Sequence, residues 1–136
     1  MENVKYTEKL MKNFMHPKNI GQIKDADAIG VVGNPQCGDV MKLYLKIERK
    51  KIKGKEKEYI KDIKFQTFGC AAAIGTSSMI TQLAKGKTID EAEKITNKNI
   101  ACSLGGLPNI KMHCSNLAEE GLKKAIANYK NRKGGK

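Results

Sequence analysis

The period of the hydrophobic pattern changes abruptly at Cys70, and that change limits what the chain can become. Before it, Met41, Leu43, Leu45 and Ile47 alternate with Lys42, Tyr44, Lys46 and Glu48, the period-two pattern of a strand with one face in a core. A charged connection containing Gly54 follows. Tyr59, Ile63, Phe65 and Thr67 then share one face of a second strand, so the two read as an antiparallel hairpin. After Cys70 the run Ala71 to Ala84 carries no charge and is rich in Ala, Ser and Thr. This is the composition of a buried helix, closed by Lys85-Gly86 with glycine as its C-cap. Its small side chains let it press closely on the hairpin.

The flanking segments complete an α+β chain. Thr7 to Met15 reads as a short amphipathic helix with Leu10, Met11 and Phe14 on one side, and His16-Pro17-Lys18-Asn19-Ile20-Gly21 stops it. Ala28 to Val32 is a short apolar run suited to a first strand, ended by Gly33-Asn34-Pro35. Thr88-Ile89-Asp90-Glu91 is a capping box that opens a helix to about Ile95. Asn97 to Leu104 reads as another short helix. The last helix shows a 3.6-residue stripe through Leu117, Ala118, Gly121, Leu122, Ala125, Ile126 and Tyr129, with Glu119 and Glu120 early and Lys123, Lys124 and Lys130 later. The expected architecture is a small antiparallel sheet of about three strands with helices on one face. It forms a single domain over 1–136, frayed over 131–136.

Composition narrows the function classes. The chain has 136 residues, no Trp and 5% aromatic residues, so one modest aliphatic core is expected. The net charge of +12 invites a nucleic-acid reading. However, the basic runs at Arg49 to Lys55 and Arg132 to Lys136 contain no interleaved aromatics for base stacking. No nucleic acid is expected, and the positive surface suits an acidic protein partner. There is no signal-peptide pattern near Met1 and no apolar run long enough for a bilayer, so a cytoplasmic protein without a membrane partner is expected.

In a reducing compartment the four cysteines read as ligands or reactive thiols rather than disulfides. No two stand in a close zinc-finger pair, so the fold must assemble any site from distant segments. Cys70 and Cys114 each precede or open a helix, where unpaired N–H groups favour thiolate, and Ser115 or Asn116 can cap the second. Cys37 lies in a turn between Pro35 and Gly38. Asp39 stands two residues from Cys37, and His113 and Lys111 flank Cys114. Three thiols with an adjacent nitrogen and oxygen donor form a complete soft-metal ligand set. They suit an iron–sulfur centre, a tetrahedral zinc site, or a sulfur-relay site. Cys102, between Ala101 and Ser103 in a helix, reads as structural or incidental.

Four segments carry a resemblance. They are Asn13-Phe14-Met15-His16-Pro17-Lys18-Asn19-Ile20-Gly21, Gly33-Asn34-Pro35-Gln36-Cys37-Gly38-Asp39-Val40, Thr67-Phe68-Gly69-Cys70-Ala71-Ala72-Ala73-Ile74-Gly75-Thr76-Ser77-Ser78, and Leu104-Gly105-Gly106-Leu107-Pro108-Asn109-Ile110-Lys111-Met112-His113-Cys114-Ser115. Together they resemble the IscU/NifU iron–sulfur cluster scaffold family over roughly residues 5 to 130, and the Gly105-Gly106 pair is more similar to its NifU-like branch. The resemblance implies a scaffold rather than an enzyme. Such a scaffold takes sulfur from a cysteine desulfurase, takes up iron, builds a [2Fe–2S] cluster and hands it to apo iron–sulfur proteins. Cys37, Cys70 and Cys114 then correspond to the cluster thiolates. Asp39 is the carboxylate that tunes or completes coordination, His113 an alternative fourth ligand, and Lys111 the flanking lysine. Cys114 is expected to be the first persulfide acceptor, and zinc is the competing occupant. A DnaK-class chaperone is also implied, although Leu107-Pro108-Asn109-Ile110-Lys111 departs from the family's Leu-Pro-Pro-Val-Lys stretch by losing the second proline. Gly69-Cys70-Ala71 stands where the family has Gly-Cys-Gly. Whether the scaffold is a monomer or a homodimer stays open.

Overall fold

The computed structural model describes residues 7–34, 39–69, 71–107 and 112–134, with backbone alone at Asn34, Asp39, Ile52, His113 and 132–134. The order of elements is α1 (Glu8–Met15), β1 (Ala28–Asn34), β2 (Asp39–Ile52), β3 (Lys55–Phe68), α2 (Ala71–Ala84), α3 (Ile89–Glu93), α4 (Asn97–Ser103) and α5 (Met112–Gly134). The three strands form one antiparallel sheet in the order β1-β2-β3. This is the α+β architecture anticipated from the pattern.

The hairpin is longer and its turn tighter than the charged connection suggested. Lys53 and Gly54 alone join β2 to β3, with φ of 53° and 79°. Two successive positive φ angles match the twist of the flanking strands. One expectation fails inside β3. The register passes from Lys46↔Asp62 to Ile47↔Ile60, leaving Lys61 as an extra residue. This bulge flips the pleat. Ile60, Ile63 and Phe65 therefore point into the core, each fully buried, with Met41, Leu43 and Leu45 opposite on β2. Tyr59, expected on that face, lies on the other side, where its hydroxyl donates to Glu48 and Lys50 sits over its ring.

The helices cover this inner face. Ile80 and Ala84 of α2 and Ala118, Leu122, Ala125 and Ile126 of α5 join the strand residues in one core, with Ile100 of α4 and Leu104, which caps that helix, closing it. Fully burying an aliphatic or Phe side chain is worth roughly 1.5–3 kcal/mol each, so this cluster dominates stability. Two glycines set the helix spacing. A Cβ on Gly30 of β1 would stand 2.6 Å from the Ala125 nitrogen and 2.7 Å from the Gly121 oxygen, so α5 rests directly on β1 backbone. A Cβ on Gly75 of α2 would collide with Leu10 Cδ1, so the missing side chain seats α1 on α2.

The segment after α1 is also tied to α2. Ser78 Oγ accepts from the Lys18 amide at 2.9 Å and donates to Asn13 Oδ1 at 2.8 Å, and Asn19 Nδ2 donates to Thr81 Oγ1 at 3.0 Å. Ile20 then bridges Phe65 on the outer edge of β3. From there the chain returns to β1 over the outer sheet face, where Lys46 bonds Asp25 and Tyr44 is only 4% exposed.

Candidate metal centre

Sheet pairing gathers the ends of several elements. Asn34 at the end of β1 pairs with Asp39 at the start of β2, the two residues that flank the Cys37 segment in sequence, and Val40, next along β2, pairs with Phe68 at the end of β3. Cys70 lies two residues beyond Phe68 and immediately before Ala71, where α2 begins. The first turn of α2 packs against the first turn of α5, because Ala72, Ala73 and Cys114 form a small buried cluster of their own. The ends of β1 and β3 and the starts of β2, α2 and α5 therefore lie at one end of the fold. Cys37, Cys70 and Lys111 themselves lie outside the described residues, as do the side chains of Asp39 and His113. Asp39 is described as the first residue of β2, and His113 as the second residue of α5.

Cys114 is the described thiol of the set, and its setting differs from the sequence reading in two ways. α5 begins at Met112, so Cys114 occupies its third position rather than preceding the helix. Ser115 and Asn116 are not its caps. Ser115 Oγ donates to the Met112 carbonyl at 2.8 Å, and Asn116 Oδ1 accepts from Asn97 Nδ2. The helix starts early because Met112 and His113 can extend its first turn without breaking the stripe that begins at Leu117. Cys114 is also 1% exposed, walled by the two α2 alanines. At the other end α5 continues to Gly134, so the backbone of 131–134 is helical where a frayed end was expected.

Cys102 is exposed on α4, so it does not serve as a packed core thiol. The glycine pair after that helix has a local function. Gly105, with φ of 80°, donates to Cys102 O at 3.0 Å, and Gly106, with φ of 109°, donates to Ala101 O at 2.8 Å. These two hydrogen bonds, donated by residues with positive φ, stop α4. Glu119 binds α5 to the start of α4. Its carboxylate accepts from the Asn97 amide at 2.5 Å and from Lys123 Nζ at 2.7 Å. Partial burial pushes its pKa up, but the Lys123 and Asn97 bonds outweigh it and hold the carboxyl below its ordinary value.

Sequence reasoning missed Thr76. It is fully buried in α2, and its hydroxyl bonds the Ala72 carbonyl at 2.8 Å while lying 3.3 Å from the Cys114 carbonyl. The available signal was a polar residue inside a charge-free helix, which must find a partner. The outer face near this end carries uncovered apolar side chains, with Val31 51% and Phe68 76% exposed.

The chain matches known proteins along most of its length. The family described as NifU-like N terminal domain matches residues 5–136. The iron–sulfur cluster assembly scaffold protein IscU 1 of Archaeoglobus fulgidus is 56% identical over 124 residues, covering 91% of this chain and 76% of that protein. IscU of Aquifex aeolicus is 44% identical over 124 residues, covering 91% and 75%. The crystal structure of a putative iron–sulfur cluster assembly scaffold protein for the SUF system from Fervidobacterium islandicum superposes with a TM-score of 0.67 at 23% identity, covering 89% of this chain and 96% of that one, a likeness of fold. With the family's domain matched along nearly the whole length and two relatives this similar, the chain belongs to the NifU-like N terminal domain family.

Proposed function

We propose that this protein is a scaffold, not an enzyme, on which a [2Fe–2S] cluster is assembled and from which it passes to apo iron–sulfur proteins. The observation that carries the reading is the packing of Cys114 against the first turn of α2, which begins one residue past Cys70, at the sheet end where Asn34 and Asp39 flank the Cys37 segment. In this reading Cys37, Cys70 and Cys114 bind the cluster as thiolates, the normal ligands of such clusters. Asp39 supplies the fourth ligand or tunes release, with His113 as the alternative. An oxygen donor is a poor match for sulfide-bridged iron and exchanges readily, which suits a cargo that must leave.

Sulfur comes from a cysteine desulfurase. The Cys114 thiolate attacks the outer sulfur of the enzyme's persulfide, a new S–S bond forms on Cys114, and the enzyme's cysteine leaves as thiolate. Lys111 stands near enough in sequence to favour the thiolate. Because Cys114 is walled by Ala72 and Ala73, delivery requires the two helix ends to part. The exposed Val31 and Phe68 give partner proteins an apolar docking face beside the site. Asn109, in place of the motif's second proline, counts against a DnaK-class chaperone as a partner. No helix among the described residues is long and apolar enough to cross a membrane. The reducing cytoplasm is the compartment that keeps these thiols usable.

Anaerobic reconstitution with iron and sulfide tests the reading. Visible charge-transfer absorption that disappears in the Cys70→Ser variant is expected. A colourless protein that takes up zinc alone through the same thiols would favour a zinc site, because Zn²⁺ is d¹⁰.

A further inference from the structure

The interface between the first turns of α2 and α5 is built from small side chains. Ala72, Ala73 and Cys114 form its apolar part, and Thr76 and Ser115 are both fully buried beside it. Among the described residues this cluster holds no large side chain, so its packing alone leaves the rotation and spacing of the α5 first turn weakly fixed. Thr76 supplies a directional contact. Its Oγ1 bonds the Ala72 carbonyl at 2.8 Å, and lies 3.2 Å from the Ala73 carbonyl and 3.3 Å from the carbonyl of Cys114. The first two are the ordinary back-bonds of a threonine within a helix. The third crosses to α5 and ends on the backbone of the thiol-bearing residue.

We propose that Thr76 is a positioning residue for Cys114. Its hydroxyl ties the first turn of α5 to the first turn of α2 and so fixes the Cys114 thiol relative to the segment that ends at Cys70. The hydroxyl sets the register of the interface. Its one proton is shared among three carbonyls, so the tie is weak enough to open when sulfur or a cluster must reach Cys114. The proposal rests on the reading of Cys114 as a cluster thiolate, but the arrangement it describes exists in the protein without a cluster.

The test is the rate at which Cys114 is alkylated by iodoacetamide in the full-length, cluster-free protein, read by mass spectrometry of the Cys114 peptide. A buried thiol reacts through local opening, and losing one hydrogen bond across the interface should raise the open population, and with it the rate, roughly fivefold. Thr76→Val, which keeps the shape, and Thr76→Ala, in case valine is not accommodated, should both show that increase. Thr76→Ser should restore the wild-type rate within about twofold, since it keeps the donor. Thr81→Val serves as the control. Thr81 is another fully buried α2 threonine, and its hydroxyl donates to the Ser78 carbonyl at 2.6 Å within α2. This variant should lower the melting temperature and leave Cys114 alkylation unchanged. Wild-type rates in both Thr76→Val and Thr76→Ala, no rescue by serine, or an equal increase in Thr81→Val would overturn the proposal. Failure of the wild-type protein to assemble a cluster would instead count against the scaffold reading and leave the alkylation result standing.

Discussion

The chemistry is concentrated in a few side chains whose neighbours matter as much as their identity. Cys102 and Cys114 lie twelve positions apart, yet one is exposed on a helix and the other is sealed between two helix ends. Serine at Cys37, Cys70 or Cys114 should leave little or no cluster per chain after reconstitution, whereas Cys102→Ser should retain the full amount. Retention in Cys114→Ser with loss in Cys102→Ser would reverse the assignment. Asp39→Ala should hold its cluster several-fold longer and transfer it to an apo-ferredoxin more slowly, because the exchangeable hard ligand is gone. An unchanged lifetime, followed by visible absorption, would remove Asp39 from the site. These ligand candidates were legible as residue types in Gly-flanked or helix-opening positions. The burial of Cys114 was not, because it depends on Ala72 and Ala73, which reach it only through tertiary packing.

Among the elements, close backbone approach and polar ties set how the helices sit on the sheet. Gly30→Ala would drive a methyl group into the backbone of α5. Overpacking against backbone typically costs about 1–3 kcal/mol, so a lower urea midpoint is expected, and an unchanged midpoint would show that α5 can shift freely. Glu119 links α4 to α5, and its pKa is lowered in the folded protein. Its contribution is therefore fully present above the unfolded-state carboxylate value of about 4.3 and is lost as pH falls through the lower folded value. Glu119→Gln should flatten the loss of stability between neutral pH and acid, measured as denaturation midpoint against pH. A steeper loss would contradict the link. The hairpin, the charge-free helix and the capping box at Thr88 were readable from period and caps. The bulge at Lys61 was not, since a single extra residue moves Ile60 inward and Tyr59 outward without leaving a mark in the alternation. The crossing of residues 20–27 over the outer face was equally hidden, because its Asp25–Lys46 tie joins residues far apart in sequence.

Over the whole molecule, the antiparallel sheet brings the Asn34–Asp39 pair, which flanks Cys37 in sequence, beside the end of β3, and α2 and α5 both begin near that end. One rim thus carries the described flanks of three cysteine positions, while the body beneath is an aliphatic core closed by helices. The charge-free helix and the strand pattern made this layering readable. The gathering of the rim followed from strand register, which composition does not specify. The direct measurement of what the rim holds is the iron and acid-labile sulfide content per chain after anaerobic purification. The expected result is iron and sulfide in equal amounts, about two of each per cluster, with matching visible absorption that is lost when Cys70 is replaced by serine. Stoichiometric zinc without sulfide, or iron and sulfide that persist in the Cys70→Ser protein, would contradict it.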